Sequence, residues 1–450
     1  MRLETKNETE PIVLNGDGGD GYGAVSCSKT NTLNGPITLA SDATINVVGD
    51  TGRLICGGEI KGTNGLSKVG AGTLVFSGSQ ANTYGGTTVV NEGALQLSKT
   101  GQIAVPGALV VGDNASPSTT HFVRAYGASQ IAPAAPVTIH NSGVLDLSGG
   151  FSPQTIGSLT GSGALYLGTS TLTAGGNNND TLFSGTMTGF AASSLIKQGT
   201  GKLTLWSGSP AWTGSTIING GTLSLNGWHP VSPITINSGG TLSGNGTGGP
   251  IVANNGKVMP GNSTGLLKSG NVALNATSQF EAEMNGTSAG VNYDQLSVTG
   301  TVNLGDATFA AKLGFSSAVS NQFVLIANDG NEAVTGKFKN LAEGAPLIIG
   351  GAQFKITYQG GDGNDVVLTQ TSAITGPQVE GLKKLPDGNT QISATGFAST
   401  TYKVEATQNL NPPAQWTTLG STLSDALGKM QFTDSSATNY PMRFYRFVLP

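Results

Sequence analysis

One stretch constrains this chain more than any other, because it occurs twice. Residues 66–97 read LSKVGAGTLVFSGSQANTYGGTTVVNEGALQL, and residues 195–225 read LIKQGTGKLTLWSGSPAWTGSTIINGGTLSL. Leu74 corresponds to Leu203, Tyr84 to Trp212, Gly86 to Gly214 and Thr88 to Thr216. Gly93, Leu95 and Leu97 correspond to Gly221, Leu223 and Leu225. Each copy holds three short strand-like runs, in the first Thr73–Phe76, Thr87–Val90 and Ala94–Leu97, parted by Gly, Ser and Asn. A unit this small cannot bury its own apolar face, so repeated units of strand and turn imply a stacked array.

Composition agrees. Charged residues make up 11% of the 450, against roughly 25% in an ordinary globular domain. The 69 glycines follow no Gly-X-Y period, so a collagen helix is excluded and an ordered β architecture fits. Leu, Val and Ile alternate with Thr and Ser, which places one set inward and the other toward water. Formal net charge is −4 with no basic cluster, which argues against a nucleic-acid partner. No apolar run is long enough for a membrane-spanning helix. The N-terminal MRLETKNETEPIVLNG lacks a secretory core, and the expectation is that the sequence starts after a removed signal. Cys27 and Cys56 leave both a disulfide and two free thiols open, the thiols being favoured because the repeats need no clip.

In chain order, 1–30 reads as a cap or assembly segment and 31–270 as coils of a parallel β-helix. Residues 271–371 read as wider terminal coils with a hairpin-like end. At roughly 20 residues per coil, the region to residue 370 would hold some 15–18 coils, about 80 Å at the usual strand spacing. Residues 112–136 read as an irregular insertion carrying His121, Arg124 and Tyr126. A linker is expected at 372–381. The tail, 382–450, has aromatic-marked alternating strands that suggest a small antiparallel β-sandwich of immunoglobulin or fibronectin type. The predicted fold class is all-β, a right-handed parallel β-helix (β-solenoid) followed by that sandwich.

Chemistry is sparse. Gly360–Leu368, GGDGNDVVL, fits the calcium β-roll nonapeptide, with Asp362 and Asp365 as oxygen donors. Such sites need tandem copies, so an ordinary tight turn is expected. Asp17 and Asp20 read as a solvated acidic turn. Arg124 with Asp113 and His121 is the nearest set to a lyase or hydrolase centre, while His140 and His229 stand apart. His121 is expected to be a solvated loop residue. No His/Cys set has zinc spacing. No catalytic, cofactor or metal residue is assigned. Tyr84, Trp206, Trp212 and Trp228 read as exposed aromatics able to stack on sugars or a partner, or as coil-packing residues.

The unit L-x-K-x-G-x-G-T-L-x-F/L-x-G…Y-x-G-x-T-x-V…G-x-L-x-L resembles the autotransporter-associated β-strand repeat. Residues 66–97 match it well; residues 195–225 depart at Trp212, where the repeat usually has Tyr. Residues 256–265 and 354–369 look like segments that accompany it. The resemblance implies a right-handed parallel β-helix in a large secreted or surface protein. In the tail, Tyr402–Ala406, Asn409, Leu410, Trp416, Phe432–Asp434 and Arg443–Arg446 resemble a C-terminal β domain of planctomycete and verrucomicrobial secreted proteins. The expectation is therefore a non-catalytic extracellular rod, structural or adhesive, associating end to end or attaching to a cell surface or matrix. The alternative is a glycan-binding or polysaccharide-degrading β-helix.

Overall fold

The computed structural model describes residues 1–3, 7–19, 21–114, 120–150, 152–330, 332–350, 352–372, 376–396, 400–425 and 428–448. The chain divides into two units. The first comprises Met1–Phe315, Gln322–Ala345 and Ile356–Leu368.

This first unit is a parallel β-solenoid. In Ala94–Leu97 and Ser215–Ile218 alternate residues are buried, the period-two pattern of a strand with one face inward. Stacking sets like residues in line. Leu74 lies between Leu54 and Leu95, and the line continues through Val123, Leu145, Leu165 and Met187. Further along, Leu203, Leu223, Leu242, Val258 and Phe280 form a second line. All of these side chains are buried. The core is thus a set of apolar columns, each rung sealed by the turns before and after it.

The stack has about 12 turns, not 15–18, and so rises roughly 60 Å at the usual strand spacing. Early turns repeat after 22 residues, as between Phe76 and Ser98. Later turns lengthen to 30, as between Ser269 and Thr299, so a uniform coil length overcounts them.

The expected insertion at 112–136 is also corrected. Residues 115–119 lie outside the described residues, but His121–Ala125 is an ordinary rung. It pairs in parallel with Ala94–Leu97 on one side and Gly143–Asp146 on the other. Gln130, fully buried, satisfies a corner of the same turn: its Oε1 accepts from the Lys99 N–H, and its Nε2 donates to the Lys99 carbonyl.

The second unit comprises Ser316–Asn321, Pro346–Lys355 and Thr369–Pro450. It holds antiparallel strands. Thr390–Thr395 lies between Gln378–Lys384 and Lys429–Asp434. Thr401–Thr407 lies between Thr417–Leu423 and Phe444–Val448. Ile392, Ala394 and Met430 from the first sheet join Tyr402, Val404 and Phe447 from the second in one core. Of the expected linker, 373–375 lie outside the described residues, and its end already belongs to the exposed strand Gln378–Lys384.

Candidate functional site

The residues shared by the two repeat copies turn out to be internal fittings. Tyr84 and Trp212 are buried, so of their two readings they are coil-packing residues and not exposed aromatics. The Tyr84 hydroxyl meets the Thr88 hydroxyl at 2.5 Å, and the Trp212 indole N–H donates to Thr216 Oγ1 at 3.3 Å. Either ring thus fills the same inward corner, and its polar tip finds the threonine four residues on. The Trp212 departure keeps the design.

Gly93 and Gly221 hold φ of +67° and +60°. A Cβ on Gly93 would stand 2.5 Å from the Gly70 carbonyl oxygen, and one on Gly221 2.4 Å from that of Gly201. Only glycine fits, for both conformation and space.

The lysine of each copy is the feature that sequence reading passed over. Lys68 and Lys197 are each 1% exposed. The Lys68 ammonium donates to the carbonyls of Val69, Gly70 and Glu92 at 3.0, 2.5 and 3.0 Å. Lys197 repeats this on Gln198, Gly199 and Gly220 at 2.7, 3.3 and 3.1 Å. Each therefore ties its own turn to the next. Burial pushes the Lys68 pKa down to about 8, with the Glu92 charge opposing. The signal was a lysine at an inward position of the alternation in both copies.

The nearest candidate set for catalysis, Arg124 with Asp113 and His121, is taken up in separate structural contacts. Arg124 pairs with Asp146 at 3.2 Å and lies over the Phe122 ring. Asp113 Oδ1 accepts from the Ser142 hydroxyl. His121 is 4% exposed on its strand, not in a solvated loop, and its Nδ1 has no hydrogen-bond partner. His229 is also buried, bonded through Nε2 to the Ser207 carbonyl, and burial pushes its pKa down to about 4. His140 sits half-buried on a turn, its backbone N–H donating to the Val111 carbonyl. Asp362 is exposed, while Asp365 Oδ1 accepts from the Asn328 N–H and the turn closes from Gly363 N–H to the Gly360 carbonyl. Asp17 is exposed and Asp20 lies outside the described residues. Cys27 and Cys56 are free and buried, and burial pushes the Cys56 thiol up to about 12.

Carboxylates do gather at the far end of the long sheet. Glu281 is gripped by Lys257 at 2.7 Å and Lys312 at 3.1 Å, and the Lys257 hydrogen bond chiefly holds its pKa below the ordinary value. Asp294, fully buried, accepts from the N–H groups of Gly265 and Glu283. Burial pushes it up to about 7. One acid is neutralised by lysines and the other is sealed, so the cluster ties adjacent turns together.

What reaches solvent includes two indoles, one just past a strand of the same sheet and one on another sheet. Trp206 and Trp228 are 60% and 54% exposed. Trp206 borders an open hollow of about 370 Å³ whose lining includes Lys202, Thr204, Asn226, Met259 and Asn262. No helix of the described residues is long and apolar enough to cross a membrane.

Two comparisons bear on this fold. The passenger-associated-transport-repeat matches residues 66–97 and 195–225, the two segments whose lysine, aromatic and glycine fittings coincide. The adhesin BmaC autotransporter of Brucella suis biovar 1 (strain 1330) is 31% identical over 267 residues. That covers 52% of this chain, while the chain spans 7% of that relative's length. Repeat, relative and β-solenoid together make this chain autotransporter passenger-like.

Proposed function

We propose that this chain is an adhesive segment of an extracellular or cell-surface passenger, without catalytic activity. The observation that carries the reading is the 31% identity to an autotransporter adhesin, extending over 52% of the chain. The structure is consistent in chemistry. The repeat residues are consumed in holding turns together, and the Glu281 carboxylate is occupied by lysines. Polar rungs of Thr and Ser, with few charges, suit a long passive surface for contact. The test is display of the chain on a non-adherent bacterium. Adherence to host cells or matrix-coated plastic should rise several-fold over the empty display scaffold; equal adherence would sink the proposal.

End-to-end self-association into a filament forms the finer part of the same proposal. Its support is general: the terminal turn of a parallel ladder offers unpaired backbone groups to a second copy. Sedimentation velocity over a hundredfold concentration range should then show growing species, and a constant monomer would exclude it. The tail is proposed as an immunoglobulin- or fibronectin-like sandwich of planctomycete and verrucomicrobial type. Its support is the core shared by two three-stranded sheets.

A further inference from the structure

The hollow beside Trp206 has the makings of a ligand site. Trp206 follows the buried rung Leu205 at a corner, and its backbone N–H donates to the Phe183 carbonyl at 3.0 Å. Its indole contributes little to the core, being 60% exposed, whereas Trp212 in the same repeat is fully buried. At the equivalent corner of the next turn stands Asn226, whose N–H donates to the Leu205 carbonyl at 2.8 Å.

Asn226 belongs to a closed ring of hydrogen bonds. The Ser224 hydroxyl donates to Asn262 Oδ1 at 2.5 Å, Asn262 Nδ2 donates to Asn226 Oδ1 at 2.6 Å, and Asn226 Nδ2 donates to Ser224 Oγ at 3.2 Å. Asn226 Oδ1 also accepts from the Asn245 N–H at 3.0 Å. Ser224 and Asn226 lie on one turn, whereas Asn262 is 36 residues beyond Asn226, so the parallel stack brings Asn262 to them. The ring fixes both carboxamides. A carboxamide has two N–H donors, and the ring uses one on each, so each keeps one for a ligand.

We propose that this face binds an oligosaccharide. The apolar face of a sugar ring stacks on the Trp206 indole, and its hydroxyls take the spare amide hydrogens of Asn226 and Asn262. Thr204 and Thr222 supply further hydroxyls to the lining, and Lys202 is its one charged residue. Lys202 therefore favours a carboxylate-bearing sugar over its neutral counterpart. A flat aromatic beside fixed, divergent hydrogen-bond groups matches a hydroxyl-rich ligand with apolar faces. A protein loop would want a deeper apolar pocket at its anchor, whereas this open hollow has Trp206 and Met259 as the large apolar side chains of its lining, among threonine, serine and asparagine. The volume falls within the range of small-ligand sites, about 300–1,000 Å³. The proposal rests on the adhesive reading for its biological setting and gives that adhesion a chemical target.

The test is a glycan array probed with the intact chain, followed by titration of the best hit. Trp206→Ala should weaken that binding at least tenfold, and Asn262→Ala severalfold, with unchanged circular dichroism because both side chains are exposed. Lys202→Ala should weaken only carboxylate-bearing glycans. No glycan bound above the Trp206→Ala background, or a hit indifferent to Trp206→Ala, overturns the site. Adherence by displayed chain that survives Trp206→Ala would leave the adhesive reading standing and remove this one. Loss of adherence to enzymatically deglycosylated protein on Trp206→Ala would mark a protein ligand instead and also overturn it.

Discussion

Replacing Lys68 by Met keeps the apolar stem and removes the ammonium that joins two turns. Three carbonyls, those of Val69, Gly70 and Glu92, then lose their donor. At about 1 kcal/mol for each partly buried carbonyl left without its bond, the loss is about 3 kcal/mol. Solenoids open locally, so the direct assay is native-state hydrogen exchange. The amides of Asn91 and Ala94, bonded to the Lys68 and Gly72 carbonyls, should exchange about a hundredfold faster, since about 1.4 kcal/mol is a factor of ten. Amides near Lys197 should be unchanged in this variant and should respond to Lys197→Met instead. The pH dependence has a definite sign. The folded pKa of about 8 lies below the ordinary 10.5, so between pH 8 and 10.5 the unfolded chain holds a proton that the folded chain has released. Wild-type stability contributed by this group therefore rises across that window, and the gap to Lys68→Met widens. A change below twofold in exchange at pH 7 would refute the staple, and a gap that narrows toward pH 10 would refute the lowered pKa.

The remaining predictions are shorter. Leu223→Ala opens a hole in a column between Leu203 and Leu242 and should cost about 3 kcal/mol in urea unfolding; a cost below 1 kcal/mol would mean the column is loosely packed. Gly93→Ala forces a methyl to 2.5 Å from a carbonyl at φ +67° and should destabilise by at least 2 kcal/mol, whereas alanine at the exposed Gly101, with open space around its Cβ, should cost less. His229 is neutral in the fold, with its pKa lowered from 6.5 to about 4. Stability from this group is full above pH 6.5 and falls by about 3 kcal/mol as pH drops to 4, because the unfolded chain takes the proton first. His229→Gln should flatten that part of the urea-midpoint profile, and an unchanged slope would contradict the assignment.

The apolar columns were legible because alternation has period two and the glycine-bounded runs are short. Leu74, Leu95 and Leu97 were expected inside and are there. What hides from a linear reading is anything set by the stack. Tyr84 and Trp212 sit among glycines in loop-like sequence, yet the corner they occupy points inward. His121 lies in a polar segment whose few apolar residues gave no period, but its neighbours in the ladder, Phe122 against Ala94 and Val123 against Leu95, define it as a rung. Coil length varies from 16 residues, between Leu242 and Val258, to 30, between Ser269 and Thr299, and no residue pattern announces the change. The Ser224–Asn226–Asn262 ring is the extreme case: a buried strand serine and its neighbouring asparagine meet Asn262 only because a later turn places it beside them.

Adhesion is the central claim, and retention under flow measures it most directly. Beads carrying the intact chain should hold to a glycan-bearing cell monolayer at shear that removes beads carrying a denatured preparation of the same chain. Trp206→Ala beads should detach with the denatured ones. Equal detachment of the folded and denatured preparations at every shear would contradict the adhesive account.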